Sequence, residues 1–157
     1  MHVLWSLALH GVTPQIAAVV CDVDHTVYVR DDAYKAHGDR GELAAIAQIL
    51  GQPEAAVRTQ LDEARQRLKA ATGRAKVTVT EAVYALGITA AQWSSLRQVA
   101  WWPDGYIQSD EQVSTLCAAL SRRFRLAFGT NNAIAVGQRI LELVGIRSTI
   151  SDTPVFG

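Results

Sequence analysis

Two aspartates, one residue apart, are the side chains best suited to chemistry in this chain. The apolar run from Ile16 to Val23 contains Asp22 near its end, Asp24 follows it, and Thr26 lies two positions further on. If the run is a buried parallel strand, both carboxylates emerge at its carboxyl end, where doubly wound sheets bind ligands. One carboxylate can attack an electrophile while the other handles the leaving-group proton, and together they can ligate a divalent cation. This chemistry suits phosphoryl transfer through an aspartyl-phosphate.

A second strand end of the same kind occurs about one hundred residues later. Alternating apolar residues from Phe124 to Phe128 predict a strand that ends at Gly129, and Thr130 and Asn131 follow it directly. A helix closed by Gly145 is expected next, and Ile146 to Ile150 predicts a third strand.

The segment between these strand ends has helical rather than strand periodicity. Residues 30–40 are polar and predict a linker, after which residues 41–101 predict a small helical unit, with 77–79 as a doubtful strand. The expected boundaries are stops at Gly51 and Gly73, an opening at Pro53, N-caps at Thr80 and Thr89, a capping box from Thr89 to Gln92, and another from Ser109 to Gln112.

Strands that alternate with helices predict an α/β fold with a parallel sheet. We expect a Rossmann-like core formed by residues 12–30 and 103–157, and an inserted α-helical cap formed by residues 31–102. An insert that directly follows the first strand lies where a lid could exclude water and select the substrate.

Composition narrows the function classes. Among 157 residues, 15 basic and 15 acidic side chains cancel, so no global field favours nucleic acid or an anionic membrane. The two cysteines have no metal or redox spacing and are expected to be reduced and buried. Residues 1–9 lack the basic residues that open an export signal, and no run approaches the roughly 20 apolar residues of a membrane span. A soluble cytoplasmic protein is therefore expected.

The two strand ends carry a family resemblance. Asp22-Val23-Asp24-His25-Thr26 resembles the first motif, DxDxT, of the haloacid dehalogenase-like (HAD) phosphohydrolase superfamily. Residues 126–132 are similar to its second motif, an apolar strand that ends in Thr or Ser, usually followed by Asn. The helical segment resembles the cap of a subgroup that includes pyrimidine 5′-nucleotidase-like enzymes, which Tyr28 also suggests, and phosphoglycolate phosphatases. The resemblance covers residues 17 to about 152.

This resemblance implies a role for each site residue. Asp22 would be the nucleophile, and Asp24 would protonate the leaving oxygen and then activate water. Mg²⁺ would bind the Asp22 carboxylate and the Asp24 backbone carbonyl. Thr130 and nearby amides would hold phosphate, Asn131 would position the substrate or the nucleophile, and Thr26 would support the turn between the aspartates. The implied partner is a small phosphorylated metabolite.

The chain also departs from the family pattern. The superfamily has a later lysine and a later acidic pair, whereas no lysine follows Lys76 in this chain, and Asp152 lies on the strand before the expected lysine. The expectation is therefore a C-terminally truncated phosphohydrolase with weak or no turnover. A non-catalytic remnant or interaction module is the alternative, and the substrate and a homodimer are left open.

Overall fold

The computed structural model describes residues 16–150 and 153–156. The elements in chain order are β1 (Ala18–Asp22), α1 (Asp32–Leu50), α2 (Glu54–Thr72), α3 (Val79–Ala85), α4 (Ala90–Ala100), α5 (Glu111–Ser121), β2 (Arg125–Gly129), α6 (Ile134–Leu143), α7 (Ile146–Thr149) and β3 (Val155–Phe156). The described chain is therefore mixed α/β, with seven helices and one small parallel sheet. None of these helices combines the length and apolarity needed to cross a bilayer.

The chain divides into two compact units. Among the described residues, unit 1 contains 16–30, 104–150 and 153–156, and unit 2 contains 31–103. Residues 1–15, including the N-terminal segment, and Asp152 lie outside the described residues, so the expectations for them have no structural counterpart.

Unit 1 contains a three-stranded parallel sheet in which β2 is central. Its neighbours are β1, with Ala18 opposite Arg125 and Asp22 opposite Gly129, and β3, with Phe128 opposite Val155. Phe128 is fully buried, together with residues of α6 and α7. Because parallel strands end at the same sheet edge, this register places the carboxyl ends of β1 and β2 side by side.

Two strand predictions for unit 1 are wrong in detail. The run from Ile16 to Val23 was expected to be buried, yet Val20 is 70% exposed, because β1 is an edge strand among the described residues. The strand expected at Ile146 to Ile150 is instead the short helix α7, in which the Ile150 N–H donates to the Ile146 carbonyl at 2.9 Å. The two isoleucines are four residues apart, a spacing that also fits a helical turn. The third strand, β3, comes later.

Unit 2 consists of four helices, and α1 is longer than the sequence predicted. Asp31 caps the helix by accepting a hydrogen bond from the Tyr34 N–H, so most of the expected linker is helical. Its glycines serve close packing: a Cβ on Gly38 would lie 2.4 Å from the Trp101 ring, and one on Gly41 would lie 2.9 Å from the Ala100 Cα. The expected linker therefore includes a residue, Gly38, whose small size is needed for α1 to pack against the end of α4.

The predicted helix boundaries in unit 2 have mixed outcomes. The stops at Gly51 and Gly73 are confirmed, with φ of 62° and 66°, and so is the capping box from Thr89 to Gln92. The N-cap expected at Thr80 is wrong, since Thr78 caps α3. Residues 77–79 do not form a strand. In unit 1, Asp110 rather than Ser109 caps α5.

A buried polar network joins α1 to the end of α4. The Tyr34 hydroxyl donates to the Trp101 carbonyl at 2.6 Å, and the Trp101 indole N–H donates to Glu42 at 2.6 Å. Arg97 donates to the same Glu42 oxygen at 3.2 Å. Burial raises the pKa of Glu42, while Trp101 and Arg97 partly oppose that rise. The network stabilises unit 2 because it satisfies polar groups that would be costly to bury unpaired.

Candidate active site

The carboxylate of Asp24 is the centre of the candidate site. Its Oδ2 accepts hydrogen bonds from the Thr130 hydroxyl at 2.8 Å and from the Asn131 backbone N–H at 3.1 Å. Its Oδ1 accepts from the Asn132 side-chain amide at 2.7 Å and from the Tyr28 hydroxyl at 3.1 Å. The segments after β1 and β2 are therefore joined through one side chain, with two donors on each carboxylate oxygen.

A tight turn holds Asp24 in this position. The Val23 N–H donates to the Gly129 carbonyl at 2.8 Å, which extends the pairing of β1 with β2 by one residue. The Val23 carbonyl then accepts from the N–H groups of Thr26, at 3.3 Å, and Val27, at 3.2 Å. His25, inside this turn, has a φ of 62°, a left-handed conformation that is uncommon for residues other than glycine. Thr26 thus contributes to the turn through its backbone N–H.

Asp22 is the other carboxylate, and it is exposed at the end of β1. Its carboxylate accepts no hydrogen bond from any described residue. It lines a shallow surface pocket of about 450 Å³ together with Gly129, Thr130 and Asn131. The site therefore combines an accessible carboxylate, that of Asp22, with a carboxylate whose two oxygens each accept two hydrogen bonds, that of Asp24.

The position of Thr130 depends on a close helix contact. Thr130 is only 8% exposed, and its hydroxyl also accepts a hydrogen bond from the Asn132 N–H at 3.0 Å. A Cβ on Gly137, in α6, would lie 2.9 Å from the Thr130 Cγ2. Glycine at this position allows α6 to approach the end of β2 closely enough to fix the threonine.

The N-terminus of α6 lies just beyond these residues in sequence. Ala133 precedes the helix without a side-chain cap, and the first turn contains no acidic residue. The first N–H groups of an α-helix have no partner within the helix, and such ends favour anions. The start of α6 thus adds donors and no acidic side chain, while the carboxylates of Asp22 and Asp24 lie on the side of β1.

A thiol, that of Cys21, also lines the pocket. Burial raises the pKa of the Cys21 thiol, and the same cause raises the pKa of Cys117, which is fully buried. Because the thiolate is the nucleophilic form, a raised pKa makes a thiol less reactive at neutral pH. Both cysteines are free, and Cys21 is half-buried rather than buried as expected. Asp22 is the better candidate nucleophile on this pocket.

The donor set near the pocket fits Mg²⁺ only in part. Asp22 offers an unengaged carboxylate, and the Asp24 carbonyl accepts no hydrogen bond within the described part of the chain. The described residues include no group of three acidic, histidine or cysteine side chains that could bind a metal. Mg²⁺ commonly takes one or two protein carboxylates and completes its shell with water and substrate phosphate. Asp22 and Asp24 could therefore serve as its protein ligands.

The structure also shows residues that the sequence analysis missed. Asn132 donates directly to Asp24, whereas the side chain singled out from the sequence was that of its neighbour, Asn131. Tyr28 was noted only for a resemblance, and Gly137 was not noted at all. A glycine in the middle of a predicted amphipathic helix is a signal of close packing that could have identified Gly137.

Comparison with known proteins adds no assignment. No family model, curated protein or solved structure significantly matches this chain. The function of the site must therefore be argued from its own geometry.

Proposed function

We propose that unit 1 contains the active site of a Mg²⁺-dependent phosphatase of the HAD type, which acts on a small phosphomonoester through an aspartyl-phosphate. One observation carries the proposal: Thr130, 106 residues from Asp24 in sequence, donates to its carboxylate beside an exposed Asp22. The two segments in which the sequence predicts phosphate-site residues, after β1 and after β2, thus meet at one sheet edge. A Rossmann-like core is part of the same proposal.

The proposed reaction has two steps. A carboxylate oxygen of Asp22 attacks phosphorus, the bond from phosphorus to the ester oxygen breaks, and a protonated Asp24 donates its proton to the leaving alkoxide. Water then attacks the phosphorus of the aspartyl-phosphate, Asp24 accepts the water proton, and the bond from phosphorus to Asp22 breaks. The products are an alcohol and inorganic phosphate, and the enzyme returns to its starting protonation state.

Substrate binding would change the hydrogen bonds of Asp24. In the structure its oxygens contact four donors. When phosphate enters, the Thr130 hydroxyl and the Asn131 N–H are the donors that can turn to it, helped by the start of α6. Asn132 and Tyr28 would continue to hold the other oxygen of Asp24. The exchange frees Oδ2 to face the ester oxygen.

Mg²⁺, when bound by Asp22 and Asp24, would supply positive charge between the acidic side chain and phosphate. The described residues of unit 1 include no lysine that could add to this charge. We therefore expect slow turnover.

A non-catalytic role is the second candidate, and the same hydrogen bonds favour it. A carboxylate that is saturated by four donors is also an effective structural link between two strand ends. In that case Asp24 would stabilise unit 1, and Asp22 would be a solvated side chain at the end of β1. The unit would then serve as an interaction module.

The test measures phosphate release from p-nitrophenyl phosphate and the covalent state of the protein. With Mg²⁺ we expect slow release, and intact-mass spectrometry of acid-quenched samples should show a phosphoryl adduct. Asp22→Asn should abolish both, and chelation of Mg²⁺ should have the same effect. Asp62→Asn, a change of the same kind on an exposed carboxylate of α2, should leave both unchanged.

Absence of both release and adduct in the unaltered chain would reject the phosphatase proposal and favour the non-catalytic role. Release that persists in Asp22→Asn would reject Asp22 as the nucleophile, because no covalent intermediate could then form on it.

A further inference from the structure

Unit 2 has an apolar groove on its surface between α1 and α4, which we call the α1–α4 groove. Its volume is about 1080 Å³, and its walls include Gly41, Ala44, Ala45 and Ala100. Side chains this small leave space above the line where the two helices touch. Small-molecule sites are typically concave, mostly apolar and roughly 300–1,000 Å³ in volume, so this groove is large enough for a ligand.

Large apolar side chains flank the groove and are open to solvent. Val99 is 75% exposed and Ile49 is 41% exposed, and both line the groove. Single exposed apolar residues are common on protein surfaces, whereas a contiguous apolar patch often marks a binding site. Here they border the same concave surface, which indicates an apolar occupant.

The polar groups of the groove are distributed unevenly. Contacts of Gly38 with Trp101 and of Glu42 with Arg97 show that α1 and α4 run antiparallel. Arg40 therefore lies at one end of the groove, near Ala100, while Gln48 and Gln92 lie towards the other end. A separation of eight helical residues, from Arg40 to Gln48, corresponds to about 12 Å. The groove thus has one cationic end and one neutral end.

Charge at the cationic end is not neutralised by the lining. No aspartate or glutamate lines the groove, and no carboxylate within residues 31–103, all of which are described, forms an ion pair with Arg40. Guanidinium groups bind carboxylates and phosphates through paired hydrogen bonds. An anionic group at the end of an apolar chain is complementary to this arrangement.

We propose that the α1–α4 groove binds a single-chain amphiphile with an anionic head group, such as a fatty acid. The head group contacts Arg40, and the apolar chain lies along Ala44 and Ala45 between Ile49 and Val99. This site lies within unit 2 and does not depend on the phosphatase proposal.

The experiment titrates the full chain with dodecanoate below its micelle concentration, by isothermal calorimetry and by amide chemical shifts. We expect saturable binding of one molecule per chain, with shift changes concentrated in α1 and α4. Dodecyltrimethylammonium, which has the same chain and a cationic head, should bind far more weakly. Acetate, which has the head without the chain, should show no saturable binding.

Variants separate the contributions of the head and the chain. Arg40→Gln should weaken dodecanoate binding about tenfold through loss of a charge-assisted contact. Ala44→Trp, at an exposed position, should fill the groove and abolish binding. The matched controls are Arg67→Gln and Ala70→Trp on exposed positions of α2, which should retain full affinity. Circular dichroism should show unchanged helicity in all four variants.

Three results would overturn the proposal. They are no saturable binding of dodecanoate, equal binding by dodecyltrimethylammonium, and full binding by Ala44→Trp. Light scattering tests a different occupant by measuring molar mass. If the unaltered chain is a dimer and Ala44→Trp is a monomer, a second copy of the chain occupies the groove instead.

Discussion

At the scale of single residues, the candidate site depends on how the donors around Asp24 are shared. Thr130 connects two of its interactions, since its hydroxyl donates to Asp24 and accepts from the Asn132 N–H. Both distances, 2.8 and 3.0 Å, are those of good hydrogen bonds. Without this hydroxyl, the partly buried Asn132 N–H and the Oδ2 atom of Asp24 would each lose a hydrogen-bond partner. The stability of unit 1 is therefore linked to its candidate site.

Thr130→Val should therefore destabilise the protein by about 2 kcal/mol, because it removes two hydrogen bonds at a nearly unchanged side-chain volume. The free energy of unfolding in urea measures the effect. Thr130→Ser is the control, since it keeps the hydroxyl and loses only a methyl group, and it should cost clearly less. If the Thr130→Val variant is as stable as the unaltered chain, the Thr130 hydroxyl does not hold Asp24.

At the scale of elements, helix ends decide much of the local structure. In α3, the Thr78 hydroxyl accepts from the Glu81 N–H at 3.2 Å, and Glu81 accepts from the Thr78 N–H at 2.8 Å and from Arg74. These hydrogen bonds lower the pKa of Glu81 to about 2, and the largest contribution comes from the Thr78 backbone N–H. The helix start is therefore sensitive to acid, although the residue is exposed.

The pH dependence follows from the direction of this shift. A carboxyl group whose pKa is lower in the folded state contributes stability above its unfolded value, near 4.5, and loses the contribution as pH falls towards 2. We expect the melting temperature of the unaltered chain to exceed that of Glu81→Gln at pH 6. The difference should shrink as pH falls below 4.5. Equal melting temperatures at pH 6 would contradict a stabilising role for the negative charge of Glu81.

At the scale of the whole molecule, the chain contains two units with separate buried cores. In unit 2, the fully or almost fully buried side chains include Tyr34, Ile46, Val57 and Val83, which come from three different helices. The unit is also continuous in sequence, from residue 31 to residue 103. A continuous segment with its own core meets the usual requirements for an independently folding domain.

Residues 31–103, expressed alone, should therefore be helical and should unfold cooperatively, with modest stability because a small domain buries less surface. Thermal unfolding followed by far-ultraviolet circular dichroism measures this. Val57→Asp, at a fully buried position, should abolish the transition, whereas Val99→Asp, at a largely exposed position, should preserve it. A gradual, non-cooperative loss of helicity in the unaltered fragment would show that unit 2 requires the rest of the chain.

The amino-acid sequence by itself determined those features that depend on neighbouring residues. Gly51 and Gly73 ended helices as predicted because the left-handed conformation after a helix favours glycine. The box from Thr89 to Gln92 formed because both partners lie within one helical turn. The alternation of helices and strands predicted an α/β chain, and Asp22 lies at a strand end as expected.

Tertiary structure alone decided the features that depend on distant residues. Gly38 looked like a linker residue, yet it lies within α1, where the Trp101 ring leaves no space for a side chain. Ile146 was expected in a strand, but it lies in the short helix α7 with its side chain fully buried. The same holds for Asn132, whose contact with Asp24 spans 108 residues. Local preference amounts to fractions of a kcal/mol per residue, so packing between distant segments overrides it.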